Sequence, residues 1–142
     1  MAEVREATTE EEVAATYPVM RELRPHLSEA EYPGKVERMR GSGYRLAIVF
    51  EEGEARAVAG FRVQELMAWG RLLYVDDLVT VEEARSRGHG KLLLDWLADE
   101  ARRLGCGQLH LDSGVQRAAA HRFYFREEMG IASFHFSKAL DG

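Results

Sequence analysis

The chain has 142 residues, 46% of them hydrophobic and 30% charged, with a formal net charge of −5. That length suits one core, so a single domain over 1–142 is expected. The acidic balance argues against a nucleic-acid partner, no apolar run approaches a membrane span, and MAEVREATTEEE lacks the apolar stretch of a signal peptide.

In chain order, Val4 to Ala7 predicts a short strand. Thr9-Glu10-Glu11-Glu12 reads as a capping box, in which the Thr hydroxyl and the Glu12 carboxylate satisfy the first N–H groups of a helix. Val13, Tyr17, Met20 and Leu23 give that helix an apolar side, with Pro18 as an irregularity, and Pro25 stops it. Pro33 predicts the start of a second short helix carrying Val36 and Met39 and ending at Gly41-Ser42-Gly43. The period then changes. Tyr44–Phe50, Ala55–Leu66 and Leu72–Thr80 read as three consecutive strands, separated by turns at Glu51–Glu54 and Trp69-Gly70, and should form an antiparallel meander.

Leu93, Trp96, Leu97, Ala101 and Leu104 recur at three and four over Gly88–Leu104, the best helical pattern in the chain. Asp99 and Arg103 are spaced to pair on its wet side, and Gly105 is placed to cap its end. Gln108–Asp112 alternates as a strand, which must run parallel to the strand before the helix with a right-handed crossover. Asp112 or Ser113 is expected to cap a last helix over about 115–128, and Ile131–Lys138 to close the sheet. The class is α/β (α+β).

The stretch that organises the rest is Arg85-Ser86-Arg87-Gly88-His89-Gly90-Lys91, between an apolar strand and the best helix. A helix start presents unpaired N–H groups and partial positive charge, which makes an anion site. Gly88 and Gly90 let a phosphate approach the backbone, and Arg85, Arg87 and Lys91 add charge. A P-loop is excluded because Leu92 follows Gly90-Lys91 and position 85 holds Arg; a dinucleotide fingerprint is excluded because Leu93 stands where its third Gly belongs.

What fits is R-x-x-G-x-G on Arg85, Gly88 and Gly90, which resembles the coenzyme A pyrophosphate loop of the GNAT superfamily of N-acetyltransferases. The layout from Val4 almost to the C-terminus is also similar to that family, whose fold is a mixed, mostly antiparallel sheet of six to seven strands with helices on both faces. The resemblance implies acetyl-CoA as co-substrate, and no His/Cys/Asp spacing in the chain suggests a metal site. It implies that the pantetheine arm lies along Leu78, Val79 and Thr80, and that Ser86, Arg87, Gly88, His89, Gly90 and Lys91 hold the pyrophosphate through N–H groups beside Arg85. H-R-F-Y-F-R-E-E-M resembles the family helix whose tyrosine is often the general acid, which implies that role for Tyr124; Glu128 and Met129 depart from its usual Gly and Phe. Y-V-D-D-L-V-T looks like the acidic pair of polyamine-type members, where the first acid is the proposed base, here Asp76.

The chemistry sets its own needs. A protonated amine has no lone pair, so a base must take its proton, and the departing thiolate needs a donor. A thiol near about 8.5 and a tyrosine near about 10 are matched closely enough. Each residue also has a bland reading: Tyr124 as a core aromatic between Phe123 and Phe125, Asp76 and Asp77 as solvated carboxylates, and His110, His121 and His135 as structural histidines. Alternation along a strand lets only one of Asp76 and Asp77 face the acetyl group. Asp77, His110 and His121 stay open as alternative bases. Cys106, the only cysteine, has no partner for an internal disulfide, which points to a reducing cytoplasm, and its loop lies away from the inferred thioester. The expected activity is acetyl transfer to a primary amine of a small molecule by direct attack. An acyl-CoA-binding module without turnover and transfer to a protein amine are the other readings, and a homodimer is left open. The acceptor should be chosen by Met20–Gly43 and the last strands.

Overall fold

A computed structural model describes residues 1–85 and 87–140. The chain divides into two compact units, Met1–Leu111 and Asp112–Gly142.

The first unit holds the sheet. Its strands are β1 (Glu3–Ala7), β2 (Arg45–Glu51), β3 (Glu54–Leu66), β4 (Gly70–Thr80) and β5 (Gln108–Leu111). They lie in the order β1-β2-β3-β4-β5; the first four pair antiparallel and β5 pairs parallel to β4. The Glu52-Gly53 turn between β2 and β3 has both φ values positive, 54° and 78°, the two-residue hairpin whose twist matches its strands.

Helix α1 (Glu10–Leu23) opens on the complete capping box: Glu12 N–H donates to the Thr9 hydroxyl, and Thr9 N–H donates to the Glu12 carboxylate. Pro18 sits inside this helix, and α2 (Tyr32–Arg40) carries Pro33 in its first turn. These helices cover one face of the sheet, where Val13, Tyr17, Met20, Tyr32 and Val36 share a buried cluster with Tyr44, Leu46, Ile48 and Val58. Helix α3 (His89–Arg103) covers the other face through Leu93, Leu97 and Ala101, with Trp96 edge-on to Phe61 at 5.9 Å. Both faces of β2 are covered, so Leu46–Val49 is fully buried and its alternation is loose. Gly105, at φ 76°, ends α3 in a Schellman cap: Cys106 N–H donates to Ala101 C=O and Gly105 N–H to Arg102 C=O.

Several expectations change. The sheet has five strands among the described residues, not six to seven, because Ile131–Lys138 forms no strand; Ile131, Phe134 and Phe136 are exposed. The last helix, α4, spans Ala118–Arg126 and starts at Arg117 without a side-chain cap, so neither Asp112 nor Ser113 caps it; Asp112 lies 3.6 Å from His135 instead. On α3, Asp99 pairs with Arg102, while Arg103 turns to Glu100. Glu100 also receives Arg45, which is held by Glu6 of β1, so one carboxylate ties α3 to the sheet. The Arg103 and Arg45 guanidiniums hold its carboxyl down at about 2. Among the described residues no helix is long and apolar enough to cross a membrane.

Candidate active site

The loop before α3 is built mainly by backbone. Val81 N–H donates to Arg56 C=O, and a 3-10 turn, Glu82–Ala84, buries Ala84 completely, so the chain reaches Arg85 from an anchored point. Gly88 caps the helix at φ 85°, a left-handed conformation that suits glycine, and it carries no side chain to cap the N–H groups behind it. The first intrahelical bond is Leu92 N–H to Gly88 C=O. The N–H groups of His89 and Gly90 therefore have no partner within the helix. A Cβ built on Gly88 meets nothing within 4 Å, so the space in front of it is open. These are the features of an anion cradle.

The side chains of the same loop are less uniform than their charges suggest. Arg85 is exposed, and among the described residues its side chain hydrogen-bonds the Thr80 carbonyl alone, at 3.4 Å. Arg87 is exposed, and Lys91 sits 3.4 Å from Asp95. His89 turns inward: its ring is 3% exposed and Nε2 lies 3.2 Å from Glu51, so only its N–H can meet a phosphate. Ser86 lies outside the described residues.

Strand β4 leads into this loop with one edge open. Its pairing with β5 covers only Leu72–Val75 against Gln108–Leu111, while its pairing with β3 continues to Thr80. From Asp76 through Leu78, Val79 and Thr80, the β5-side edge has no strand partner among the described residues. An extended amide-bearing chain can add to such an edge as a further strand would.

At the point where β5 pairing stops, β4 is bulged. Gly60 pairs with Asp77 and the next residue, Phe61, pairs with Val75, so Asp76 is the extra residue. Strict alternation would place Asp76 in the row of Leu78 and Thr80, away from Asp77. The bulge instead brings both carboxylates into one network. Arg62 donates to Asp76 through two nitrogens, at 2.8 and 3.2 Å, and its guanidinium lies over the Tyr44 ring. The Tyr44 hydroxyl donates to Asp77 at 2.7 Å, and Arg24 donates Nε to Asp77 at 3.0 Å and Nη2 to the Asp76 carbonyl at 3.2 Å. Burial pushes the Asp76 carboxyl above the usual aspartate range, opposed by the Arg62 hydrogen bonds. Burial and the Asp77 charge push the Tyr44 phenol up, so Tyr44 stays a donor.

Tyr44, Arg24, Arg62 and Gly60 were not singled out from the sequence. A Cβ on Gly60 would overlap the Tyr44 hydroxyl and ring, so Gly60 makes the room in which Tyr44 reaches Asp77. A glycine inside an otherwise β-rich run was the available signal.

Beside Asp77 a pocket of about 130 Å³ opens between α1, α2 and β4. Most of its lining comes from Met20–Met39. The connection between α1 and α2 is fixed there by the Tyr17 hydroxyl, which donates to Leu27 C=O at 2.8 Å, and Tyr17 packs against Tyr32 at 5.3 Å.

In the second unit, Tyr124 is the buried residue of α4, packed on Phe123 with ring centroids 5.6 Å apart. Burial raises its phenol above the usual range, with Arg117 opposing. The ring of His121 hydrogen-bonds the Gly114 carbonyl at 2.8 Å. In the first unit, His110 bonds Gln108 at 2.6 Å and packs against Trp69 with the rings tilted by 55°. Cys106 is half-buried in the turn between α3 and β5. No group of His, Cys, Asp and Glu among the described residues could hold a metal ion.

The whole arrangement has counterparts. Residues 5–131 match the model of the acetyltransferase (GNAT) family. The chain is 39% identical over 143 residues to an uncharacterized N-acetyltransferase, YhdJ, of Bacillus subtilis, covering 99% of this chain and all of the relative. It is 33% identical over 98 residues to an aminoalkylphosphonate N-acetyltransferase of Salmonella typhimurium, covering 68% of this chain and 62% of that one. Among solved structures, an aminoglycoside N-acetyltransferase in complex with CoA superposes with a TM-score of 0.87 at 11% identity, over 99% of this chain and 95% of that one, which shows the shared fold. The chain therefore belongs to the GNAT acetyltransferase family, as an N-acetyltransferase of mixed α/β fold.

Proposed function

We propose that this chain moves the acetyl group of acetyl-CoA to the nitrogen of a small primary amine by direct attack, in a cytoplasmic setting. One observation carries the reading. The glycine-capped start of α3 lies just beyond a strand whose edge, from Asp76 to Thr80, has no strand partner among the described residues. A pyrophosphate needs the first and a pantetheine arm the second. His89, Gly90 and Lys91 would hold the pyrophosphate through their N–H groups, with Arg85, Ser86 and Arg87 adding donors and charge. Leu78, Val79 and Thr80 would bond the arm by main chain. The thioester, when bound, supplies an activated acetyl group.

The rest falls to this chain's side chains. Asp76 is the base in this reading: its raised carboxyl accepts a proton more readily than an ordinary aspartate, and Arg62 fixes its direction. Asp77, locked between Tyr44 and Arg24, is a positioning residue. Tyr124 is the proton donor to the departing thiolate; its raised phenol is fully protonated at neutral pH. The relative named for aminoalkylphosphonates supports a compact amine as acceptor. Incubation with acetyl-CoA and a panel of primary amines, read as free thiol released, tests the reading. Release that depends on the amine is expected; coenzyme binding without release for any small or peptide amine would leave a binding module.

A further inference from the structure

The aspartates of β4 do not form a bare negative patch. Arg62 holds Asp76, and Arg24 with Tyr44 holds Asp77. The neighbouring pocket is lined by two cations, Arg24 and Lys35, against the single carboxylate of Asp77, with His26 beside them. Arg24 engages Nε and Nη2 in bonds to β4 and has Nη1 left over. Lys35 and His26 are exposed and have no side-chain hydrogen bond or ion pair among the described residues. Asp77, by contrast, has a side chain only 12% exposed. The pocket is thus polarised, with a buried carboxylate at one place and unmatched positive charge around it.

A simple alkylamine would bring one more cation to that positive lining. A molecule bearing an acid would match it, since guanidinium and ammonium groups are the usual donors to phosphate and carboxylate oxygens. The volume, about 130 Å³, is well below the ~300–1,000 Å³ of pockets for drug-sized ligands, so the molecule is compact.

We propose that this pocket binds a short amine carrying an oxyanion, a phosphonate, phosphate or carboxylate, with Lys35, His26 and the free edge of Arg24 on the oxyanion and the amine lying toward Asp77. The proposal rests on the acetyl-transfer reading, because it names the acceptor of that same site.

The test is calorimetric titration of the coenzyme A-loaded protein with 2-aminoethylphosphonate, β-alanine and propylamine. At least one acid-bearing amine should bind about tenfold or more tightly than propylamine; the two acid arms tell phosphonate from carboxylate preference. Lys35→Met should weaken the acid-bearing ligand about tenfold and leave the propylamine value in place, and Lys35→Arg should restore most of the difference. Lys35 is exposed on α2, so these variants should fold. Equal binding of propylamine, an acid-bearing amine unaffected by Lys35→Met, or no binding by any of the three would overturn the proposal. Thiol release from acetyl-CoA with the same ligands separates the two readings. Tight, Lys35-dependent binding without release sinks acetyl transfer and keeps the oxyanion site. Release favouring propylamine keeps transfer and sinks the oxyanion site.

Discussion

The two ends of the open stretch of β4 are made in different ways. At its exit, the start of α3 is an arrangement of backbone: Gly88 at φ 85° and the N–H groups that follow it, with side chains turned to solvent, to Asp95 or, for His89, into the core. At its entry, the bulge at Asp76 is an arrangement of side chains from four distant places, Arg24, Tyr44, Arg62 and the Asp76-Asp77 pair. The first can be written in six consecutive letters because backbone geometry needs only glycines at fixed spacing. The second cannot, because its members meet only when α1, β2, β3 and β4 are assembled. One change at the backbone end should therefore abolish binding, while changes at the side-chain end should be graded.

The largest effect is expected from Gly88→Val. A β-branched residue is strained at that φ, and its side chain would fill space that is open at Gly88. Acetyl-CoA should raise the melting temperature of the parent protein by mass action and should fail to raise that of the variant. Gly88→Asn, which tolerates the left-handed conformation, should fold normally and bind weakly. Normal coenzyme affinity in Gly88→Val, measured by calorimetry, would move the pyrophosphate elsewhere.

Tyr124→Phe comes next. It removes one oxygen and keeps the ring, so coenzyme affinity and stability should change little while turnover falls about a hundredfold. The comparison has to be made where chemistry limits the rate. Turnover equal to the parent's would return Tyr124 to a packing role beside Phe123.

What could be read in the sequence follows the same division. The capping box at Thr9, the hairpin turn at Glu52-Gly53 and the Gly105 cap are all local, and each holds; a helix also starts at Gly88, as the glycine spacing led one to expect. The errors lie where a local pattern met a distant partner. Ile131–Lys138 has a strand's composition but forms none, and a strand exists only by pairing. Asp99 and Arg103 had helical spacing, but Arg103 was drawn to Glu100, which Arg45 and Glu6 of the sheet already held. Alternation separated Asp76 from Asp77; the bulge that reunites them is a register shift between strands, invisible in either strand alone. The bland reading of Asp76 and Asp77 was a pair of solvated carboxylates, and both members proved to be matched by arginines contributed from elsewhere.

The side-chain end can be sharpened with Asp76→Asn. If Asp76 takes the amine's proton, parent activity should fall as pH drops through its raised carboxyl value, because the protonated acid is no base. The variant must wait for amine that is already neutral, so its defect should be greatest at low pH, about tenfold or more, and shrink above the amine's own pKa. A pH profile of kcat at saturating coenzyme for both proteins checks this. Parallel curves at every pH would pass the role of base to Asp77 or a histidine.

The smallest effect should come from the residue that makes room for the cluster. Gly60 faces Asp77 across the β3–β4 ladder, and a methyl group there would overlap the Tyr44 hydroxyl and ring. Tyr44 is 4% exposed and packed in the core below α1 and α2, so it can yield only by a small shift. Gly60→Ala should cost about 1–3 kcal/mol, the usual range for overpacking, seen as a melting temperature lower by several degrees. The shift should also draw the hydroxyl off Asp77, leaving that carboxylate with Arg24 alone. Replacing the ring by Tyr44→Leu is itself destabilising, but in that background the added methyl has nothing to strike. The cost of Gly60→Ala should therefore drop by at least half when Tyr44 is leucine, a coupling that a double-mutant cycle reads directly. Strictly additive costs would mean that Gly60 serves the ladder and not Tyr44. The bulge cluster would then owe its geometry to the arginines alone.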